Sequence, residues 1–289
     1  MMKRIGLIVN FTRTPVAPHL EGLLSSAAAA GLTLFADPST AARVRGVVPC
    51  AVEDFAAQGV EAVLSLGGDG SLLSAAHIVS TTPLPLIGFN SGTLGYLTAV
   101  NEEGYGEALR ALAEGRFEIE SRTTLTATHK RSGQILRILH DALNDVVVSR
   151  VDGGHACTLE LEIDGTLIAH ALCDGLILST PTGSTAYSLS VGGPVVLSSS
   201  ATLVLSFIAP HALSTRPLVI PDSANVLVRV MSEGVTGAYV DGQKEAEMGN
   251  GDELCVTTSP RPVHLIIPHG LNPYTQLSRK LGWGAAFIR

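Results

Sequence analysis

The sequence predicts two domains: an α/β N-terminal domain with a Rossmann-like, doubly wound sheet, and a mainly β C-terminal domain. Two observations lead to this fold class. In the first part of the 289-residue chain, short apolar runs alternate with alanine- and leucine-rich stretches, the pattern of parallel strands joined by helices. From Arg116 to about Pro268 the sequence is instead β-branched, alternating and turn-rich. We therefore expect a first domain over residues 1–118, a second over residues 119–269, and a tail over residues 270–289 that docks back on the first.

The first domain is predicted to alternate strands and helices in chain order. Its apolar runs predict strands at residues 3–10, 32–36, 60–66 and 85–89. Its helical stretches lie at residues 15–30, 49–58, 71–79 and 102–114. Pro83 and Gly115 end the last two helices, because proline cannot continue a helix and glycine readily takes the left-handed conformation found after a helix.

The second domain is predicted to be built from short strands. They lie at residues 117–128, 143–149, 158–163, 175–179, 226–230, 254–257 and 263–267. Asp164-Gly165 stands between two of these runs, which is a strong signal for a two-residue hairpin. Residues 275–281 have polar and apolar residues at helical spacing, but the segment is too short to be a stable helix by itself, so we expect it to dock on the first domain.

Composition and charge narrow the classes of partner. The chain carries 19 Lys and Arg against 26 Asp and Glu, a net charge of −7, and has no basic run that could neutralise a nucleic-acid backbone. No stretch approaches the ~20 apolar residues of a membrane-spanning helix, and the apolar run after the basic N-terminus is too short for a signal peptide. We therefore expect a cytoplasmic protein that binds neither nucleic acid nor membrane.

The four cysteines give no sign of a metal or redox motif. They are far apart in the sequence and form no C-x-x-C pair. Reduced, buried thiols are the expected state.

A glycine-rich loop follows the predicted strand at residues 60–66. Gly67, Gly68 and Gly70 lack a Cβ and can take positive φ, so their N–H groups can line a phosphate-sized concave surface at a helix N-terminus. Asp69 in the middle would repel phosphate unless it binds the metal of a nucleotide or accepts a proton from an attacking hydroxyl. A structural glycine turn with Asp69 as a helix cap is the alternative.

A second polar loop lies within Asp174–Pro194. It carries six hydroxyl groups between Thr180 and Ser188, which offer many neutral donors and acceptors to a polar ligand. The alternative is a Ser- and Thr-rich surface turn. The short distance to Asp174 and the Gly192-Gly193 pair favour a ligand site.

Taken together, these motifs resemble the NAD kinases, which phosphorylate NAD with ATP at the adenosine ribose. The first glycine motif alone is shared with lipid kinases and phosphofructokinases, whereas the whole set in this order is highly specific. The matching segments are residues 67–70, 88–98, 143–145, 174–194, 210–217, 241–243 and 277–283.

The resemblance implies a role for each matching residue. Asp69 would be the general base for the NAD 2′-hydroxyl, and the three glycines would bind the ATP phosphates. Asp145 stands where the family usually has Glu, and Leu172 stands where some relatives carry Arg. His155 falls where the family can place a nucleotide-contacting basic residue, with a structural histidine as the alternative. The implied NAD-binding set is Asp69, Gly70, Asn144, Asp145, His155, Leu172, Asp174, Thr185, Ala186, Tyr187, Ser188, Leu189, Ser190 and Gln243.

The resemblance also implies partners. The substrates would be NAD and ATP, with Mg²⁺ bound to the nucleotide and no protein metal cage, and the protein would be a homodimer or homotetramer. Two other functions remain as alternatives: a lipid or sugar kinase that shares the glycine motif, and a non-catalytic dinucleotide-binding sensor. The sequence leaves open the preference between NAD and NADH and the use of polyphosphate.

Overall fold

A computed structural model describes residues 1–11, 16–80, 82, 84–92, 95–98, 100–151, 156–269 and 273–283. The chain divides into two compact units, one formed by Met1–Ser121 with Val263–Arg289 and the other by Arg122–Pro262. In these described ranges, no helix combines the length and the apolar character needed to cross a membrane.

The first unit begins with alternating strands and helices, as the sequence predicts. The strands are β1 (Arg4–Val9), β2 (Thr33–Ala36), β3 (Val48–Pro49), β4 (Ala62–Leu66), β5 (Leu86–Phe89) and β6 (Phe117–Arg122). The helices are α1 (Ala17–Ala29), α2 (Pro38–Ala41), α3 (Asp69–Ile78) and α4 (Tyr105–Glu114). α4 ends at Gly115, which has φ of 78° and lies in the left-handed region.

The second unit follows as a run of strands with one short helix. The elements are β7 (Leu125–Arg131), β8 (Gln134–Ile138), β9 (Asp145–Arg150), β10 (Cys157–Ile163), β11 (Thr166–Cys173), β12 (Gly175–Ser179), α5 (Tyr187–Ser190), β13 (Thr202–Ile208), β14 (Leu218–Pro221), β15 (Val226–Val230), β16 (Thr236–Val240), β17 (Gln243–Met248) and β18 (Asp252–Thr258). The chain then returns to the first unit with β19 (Val263–Pro268) and α6 (Pro273–Lys280).

The first unit is built around a seven-stranded sheet with the order β3-β2-β1-β4-β5-β19-β6. The pairs from β3 through β19 are parallel. All five residues of β4 are buried, which suits a strand covered on both faces. The predicted Rossmann-like α/β domain is therefore confirmed.

The second unit contains two antiparallel six-stranded sheets. Their orders are β11-β10-β15-β18-β7-β8 and β14-β13-β12-β9-β16-β17. Side chains from both sheets form one apolar core. This arrangement confirms the prediction of a mainly β C-terminal part.

Several hairpins of the second unit turn through two residues with positive φ. Asp164 and Gly165 have φ of 48° and 75°, as the sequence predicts for a primed turn. Asp241 and Gly242 join β16 to β17 in the same way, with φ of 47° and 79°. This second turn positions part of the candidate site.

Some predicted elements differ in the structure. The helix predicted at residues 49–58 is reduced to a 3₁₀ turn at Val52–Asp54. Phe55 is the only buried side chain between residues 50 and 59, and one buried side chain gives a short helix little stabilisation from packing. The strand predicted at 117–128 is interrupted into β6 and β7, which belong to different sheets. Residues 263–268, assigned from the sequence to the second domain, form β19 beside β5, because an apolar run does not reveal which sheet it joins.

Candidate active site

The glycine loop connects β4 to α3, the strand-to-helix transition that the sequence predicts. Gly67 has φ of 148°, and a Cβ there would overlap the side chain of Ser71. A Cβ at Gly68 would meet no other atom, so this residue faces open space. Asp69 is the first residue of α3 and Gly70 is the second. Ser71 already donates its N–H to the backbone oxygen of Gly68 at 2.9 Å. The first N–H groups of a helix have no partner within it, so Gly68, Asp69 and Gly70 can offer theirs to an anion.

The Asp69 carboxylate holds the loop that follows β5. Its Oδ2 accepts a hydrogen bond from the N–H of Tyr96 at 2.7 Å. Its Oδ1 accepts three, from the N–H groups of Leu97 at 3.1 Å and Thr98 at 3.0 Å and from the Thr98 hydroxyl at 3.0 Å. A Cβ on Gly95 would overlap this carboxylate. The sequence identified Asp69 from its own motif but gave no signal for these partners.

The two oxygens of Asp69 are therefore not equivalent. A carboxylate oxygen has two lone pairs, and the three bonds to Oδ1 saturate it. Oδ2 accepts one bond from the described residues and keeps one acceptor position. Oδ2 is thus the oxygen that can take a proton from a substrate hydroxyl.

In the second unit, the Asp241 carboxylate fastens the segment that leads into β9. Its Oδ2 accepts from the N–H of Leu143 at 2.9 Å, and its Oδ1 accepts from the N–H groups of Asn144 at 2.7 Å and Asp145 at 3.1 Å. The N–H of Asp241 in turn donates to the backbone oxygen of Asp145 at 3.0 Å. The β16–β17 turn therefore fixes the backbone of the predicted Asn144–Asp145 pair.

A cavity of about 440 Å³ opens beside this pair. Four of its lining residues are sequence-predicted site residues: Asn144, Asp145, Ala186 and Tyr187. Its other lining residues, which the prediction did not include, are Val147, Ser149, Tyr239, Asp241 and Gly242. The register between β9 and β16, which places Tyr239 opposite Val147, brings most of these together and cannot be read from a linear motif.

Asp145 has an unusual electrostatic environment in this cavity. Its side chain is buried, and burial together with the negative charge of Asp241 raises its pKa from 3.8 to about 7. The carboxyl is therefore partly protonated near neutral pH, so it can donate as well as accept a hydrogen bond.

The hydroxyl-rich loop makes most of its hydrogen bonds to itself and to the cavity wall. Thr180 donates to the backbone oxygen of Leu143 at 2.6 Å, and the N–H of Gly183 donates to Thr180 Oγ1 at 3.0 Å. Ser188, one of the predicted NAD-binding residues, is fully buried and shares a hydrogen bond of 3.2 Å with Ser206. Several hydroxyls thus shape this loop from within.

The remaining predicted residues of this loop lie around Ala186 and Tyr187. Thr185 donates its hydroxyl to the backbone oxygen of Thr182 at 3.2 Å. Leu189 is half-buried and Ser190 is exposed, both within α5. These three residues do not line the 440 Å³ cavity.

Leu172, Asp174 and Gln243 are not among the residues that line that cavity. Asp174 accepts a hydrogen bond of 3.0 Å from the guanidinium of Arg150, its neighbour across the β9–β12 pair. Leu172 is exposed on β11, and Gln243 is exposed at the start of β17. His155 lies outside the described residues. In the ranges that the structure describes, no group of three or more His, Cys, Asp or Glu side chains has the arrangement of a metal site.

Comparisons with known proteins give one consistent result. The ATP-NAD kinase N-terminal domain family matches residues 25–117, and the ATP-NAD kinase C-terminal domain family matches residues 143–267. An NAD kinase of Azoarcus sp. (strain BH72) is 35% identical over 286 residues, which cover 98% of this chain and 97% of that protein.

Solved structures agree in fold. A yeast NADH kinase complexed with NADH superimposes with a TM-score of 0.87 at 23% identity, over 98% of this chain and 89% of that one. An NAD kinase from Archaeoglobus fulgidus in complex with ATP gives a TM-score of 0.71 at 21% identity, over 96% and 97% of the two chains. From the two family matches and the full-length relative, this chain belongs to the ATP-NAD kinase family.

Proposed function

We propose that this chain is an ATP-dependent NAD kinase, which transfers the γ-phosphate of ATP to the 2′-hydroxyl of the adenosine ribose of NAD and so makes NADP. Family membership over nearly the whole chain supports this reaction. The observation that carries the proposal is the position of Asp69, which begins α3 within the glycine loop and keeps one acceptor position on Oδ2.

The glycine loop is the proposed site of the ATP phosphates. Gly68 and Gly70 would donate backbone N–H groups, and the positive end of the α3 dipole would favour the anion. The N–H of Gly67 already donates to the backbone oxygen of Phe89 at 2.8 Å, so Gly67 would contribute through the turn that its φ of 148° makes between β4 and the loop. Mg²⁺ enters with ATP as part of the substrate and offsets the negative charge of the phosphates. It would keep some of its own water ligands. This arrangement needs no cluster of protein ligands.

Asp69 is the proposed general base. The transition state of phosphoryl transfer is loose, so it needs an aligned acceptor hydroxyl more than a strong base. Oδ2 would accept the proton of the 2′-hydroxyl, while the three bonds to Oδ1 keep the carboxylate in one orientation. The loop at residues 95–98 thus positions the base.

The 440 Å³ cavity is the proposed site of the adenosine part of NAD. Tyr187 offers an aromatic face for stacking, and Asn144 offers a donor and an acceptor. Asp145, in its ionised form, would accept from a ribose hydroxyl. We assign the remaining contacts with the dinucleotide to Asp69, Gly70, His155, Leu172, Asp174, Thr185, Ala186, Ser188, Leu189, Ser190 and Gln243.

Cellular location and assembly belong to this proposal too. Both substrates are cytoplasmic metabolites, so we place the reaction in the cytoplasm. β8, at the edge of its sheet, exposes Ile135, Leu136 and Ile138, an apolar edge that favours association with a second copy in a homodimer or homotetramer. Light scattering of the purified chain measures this directly.

The activity assay uses ATP and Mg²⁺ with NAD or NADH offered separately, and quantifies NADP and NADPH. Asp69→Asn should lose at least about 100-fold in kcat, since general-base catalysis contributes about that much. Ser74→Ala, on the same helix, is the matched control, because it removes only an exposed hydroxyl that donates to the backbone oxygen of Gly70 and leaves the Asp69 carboxylate with its partners. It should keep most of the activity.

The outcomes separate the candidate functions. Product from NAD or NADH that is lost in Asp69→Asn and retained in Ser74→Ala supports the kinase and the role of the base. Dinucleotide binding without product from either would overturn the kinase and favour a sensor. Phosphorylation of a lipid or sugar, without product from NAD or NADH, would favour the other kinases that share the glycine motif.

A further inference from the structure

Cys157 and Cys173, which are 16 positions apart in the sequence, face each other in the structure. Cys157 begins β10 and Cys173 ends β11, and the antiparallel register places them directly opposite. Both side chains are buried in the core of the second unit, and both thiols are free. The Cys157 thiol donates to the backbone oxygen of Cys173 at 3.4 Å. The sequence predicted isolated thiols, whereas the fold pairs these two.

This register is compatible with a disulfide. Directly opposite residues of an antiparallel pair have Cα atoms about 4.5–5.5 Å apart and side chains on the same face. A disulfide accepts Cα separations of about 4.4–6.8 Å. The bond could therefore form with little backbone movement.

The two thiols differ in access and reactivity. Cys157 is 3% exposed and is one of the residues that line a second cavity of about 460 Å³, together with Arg150, whereas Cys173 is 0% exposed and does not line it. A hydrogen bond from the Cys173 thiol lowers the pKa of Cys157, whereas the same bond and burial raise the pKa of Cys173. The thiolate is the reactive form, so Cys157 is suited to attack first and Cys173 second.

We propose that Cys157 and Cys173 form a reversible dithiol–disulfide site that reacts with low-molecular-weight disulfides. The Cys157 thiolate attacks one sulfur of the small disulfide, breaks its S–S bond and releases one small thiolate. The Cys173 sulfur then gives up its proton, attacks the Cys157 sulfur of the mixed disulfide and expels the second small thiolate. Two cysteine thiols are oxidised, one small disulfide is reduced, and the two protons leave with the two small thiols.

The bond would act on a residue next to it. Cys173 is followed by Asp174, whose carboxylate is bound by Arg150. Turning the Cys173 side chain onto Cys157 would shift the adjacent Asp174 by a small amount, and Asp174 is a residue to which we assign a contact with NAD. We therefore expect oxidation to raise the KM for NAD severalfold, a consequence that rests on the proposed function, whereas the formation of the bond does not.

The chemical test uses the reduced full-length chain and bis(2-hydroxyethyl) disulfide, with intact mass and non-reduced peptide mapping as readouts. The expected product has lost two hydrogens, ~2 Da, links Cys157 to Cys173 and returns to the dithiol with dithiothreitol. Cys173→Ser should retain a mixed disulfide on Cys157. Cys157→Ser should leave Cys173 unmodified. If circular dichroism shows that either variant does not fold, the non-reduced peptide map of the wild-type chain decides whether the Cys157–Cys173 bond forms.

The same measurements can overturn the proposal. Adducts confined to Cys50 or Cys255, or a Cys157–Cys173 bond that forms only in denaturant, would show that the pair is inert in the folded protein. A Cys50→Ser, Cys255→Ser double variant removes the other thiols. The bond should form in it as in the wild type.

Kinetics on the double variant test the link to NAD. A KM for NAD that rises on oxidation and recovers with dithiothreitol would support an effect of the disulfide on NAD binding. An unchanged KM in the fully oxidised protein would refute that effect. Absence of kinase activity in the reduced protein would instead refute the proposed function, and the mass measurements would still decide whether the dithiol reacts.

Discussion

Replacing Asp145 by Asn should change how the stability of the protein depends on pH. Burial and the charge of Asp241 raise the pKa of Asp145 from 3.8 to about 7 in the folded protein. The folded state therefore holds this proton more tightly than the unfolded state. The resulting stabilisation is fully present below about pH 4 and is lost as the pH rises to 7, because the carboxyl then ionises in the cavity.

The size of the effect follows from the shift. A difference of about three pKa units corresponds to roughly 4 kcal/mol of unfolding free energy, spread over the interval at about 1.4 kcal/mol per pH unit. Above the folded pKa the ionised carboxylate costs the full amount and the dependence levels off. Asparagine has no such titration, so the variant lacks this slope.

Urea unfolding of wild type and Asp145→Asn, at several values between about pH 5 and pH 8, measures the slope. All other groups titrate alike in both proteins, so the difference between the two stabilities isolates Asp145. The free energy of unfolding of the variant, relative to that of the wild type, should rise by about 1.4 kcal/mol per pH unit up to pH 7. Above pH 7 this difference should level off.

Asp164→Asn serves as the control. Hydrogen bonds from Asn225 lower the pKa of Asp164, so the contribution of Asp164 to stability is lost only as the pH falls below about 4. The difference in unfolding free energy between Asp164→Asn and the wild type should therefore be constant between about pH 5 and pH 8. A flat curve for Asp145→Asn over the same range would refute the raised pKa. A falling curve would refute the sign of the argument.

Two further predictions concern other carboxylates. Gly95→Ala should destabilise the chain by about 1–3 kcal/mol and abolish most kinase activity, because the new Cβ overlaps the Asp69 carboxylate. Gly92→Ala is the control, since a Cβ at this position meets only a side-chain oxygen at 3.8 Å. Equal urea unfolding midpoints and equal reaction rates for the two variants would contradict the expectation. Arg131 holds the pKa of Asp252 well below its ordinary 3.8, so Asp252→Asn should be less stable than the wild type at neutral pH. The difference between their free energies of unfolding should become smaller as the pH falls below about 4. A difference that stays constant as the pH is lowered would contradict this prediction.

The parts of the fold that the sequence predicts well depend on local signals. The β4–glycine loop–α3 transition and the Asp164–Gly165 hairpin each lie within a few residues, where glycine conformation and apolar periodicity decide the outcome. The helix predicted at residues 49–58 failed for the complementary reason. Local propensity favoured it, but Phe55 is the only side chain between residues 50 and 59 that the fold buries.

The parts that the sequence misses depend on distant partners. Asp69 accepts hydrogen bonds from residues 96–98, which lie 27 to 29 positions further along the chain. Asp241 accepts hydrogen bonds from residues 143–145, which lie almost a hundred positions earlier. The pairing of Cys157 with Cys173 requires the register of β10 and β11. A motif identifies one side of such a contact, and only the folded sheet supplies the other.

Three carboxylates, Asp69 of the first unit and Asp145 and Asp241 of the second, illustrate how the same functional group acquires different roles. Asp69 accepts four hydrogen bonds and Asp241 accepts three from backbone N–H groups, which replace the water that each carboxylate loses on folding. The shift at Asp145 arises from burial and from Asp241, with no stabilising hydrogen bond from the described residues. Asp241 thus has two effects on its neighbour: it fixes the Asp145 backbone in the cavity wall, and its charge adds to the effect of burial in raising the pKa of the Asp145 carboxyl. A ribose hydroxyl that donates to Asp145 would supply the missing hydrogen bond, so binding of the sugar and ionisation of Asp145 should favour each other.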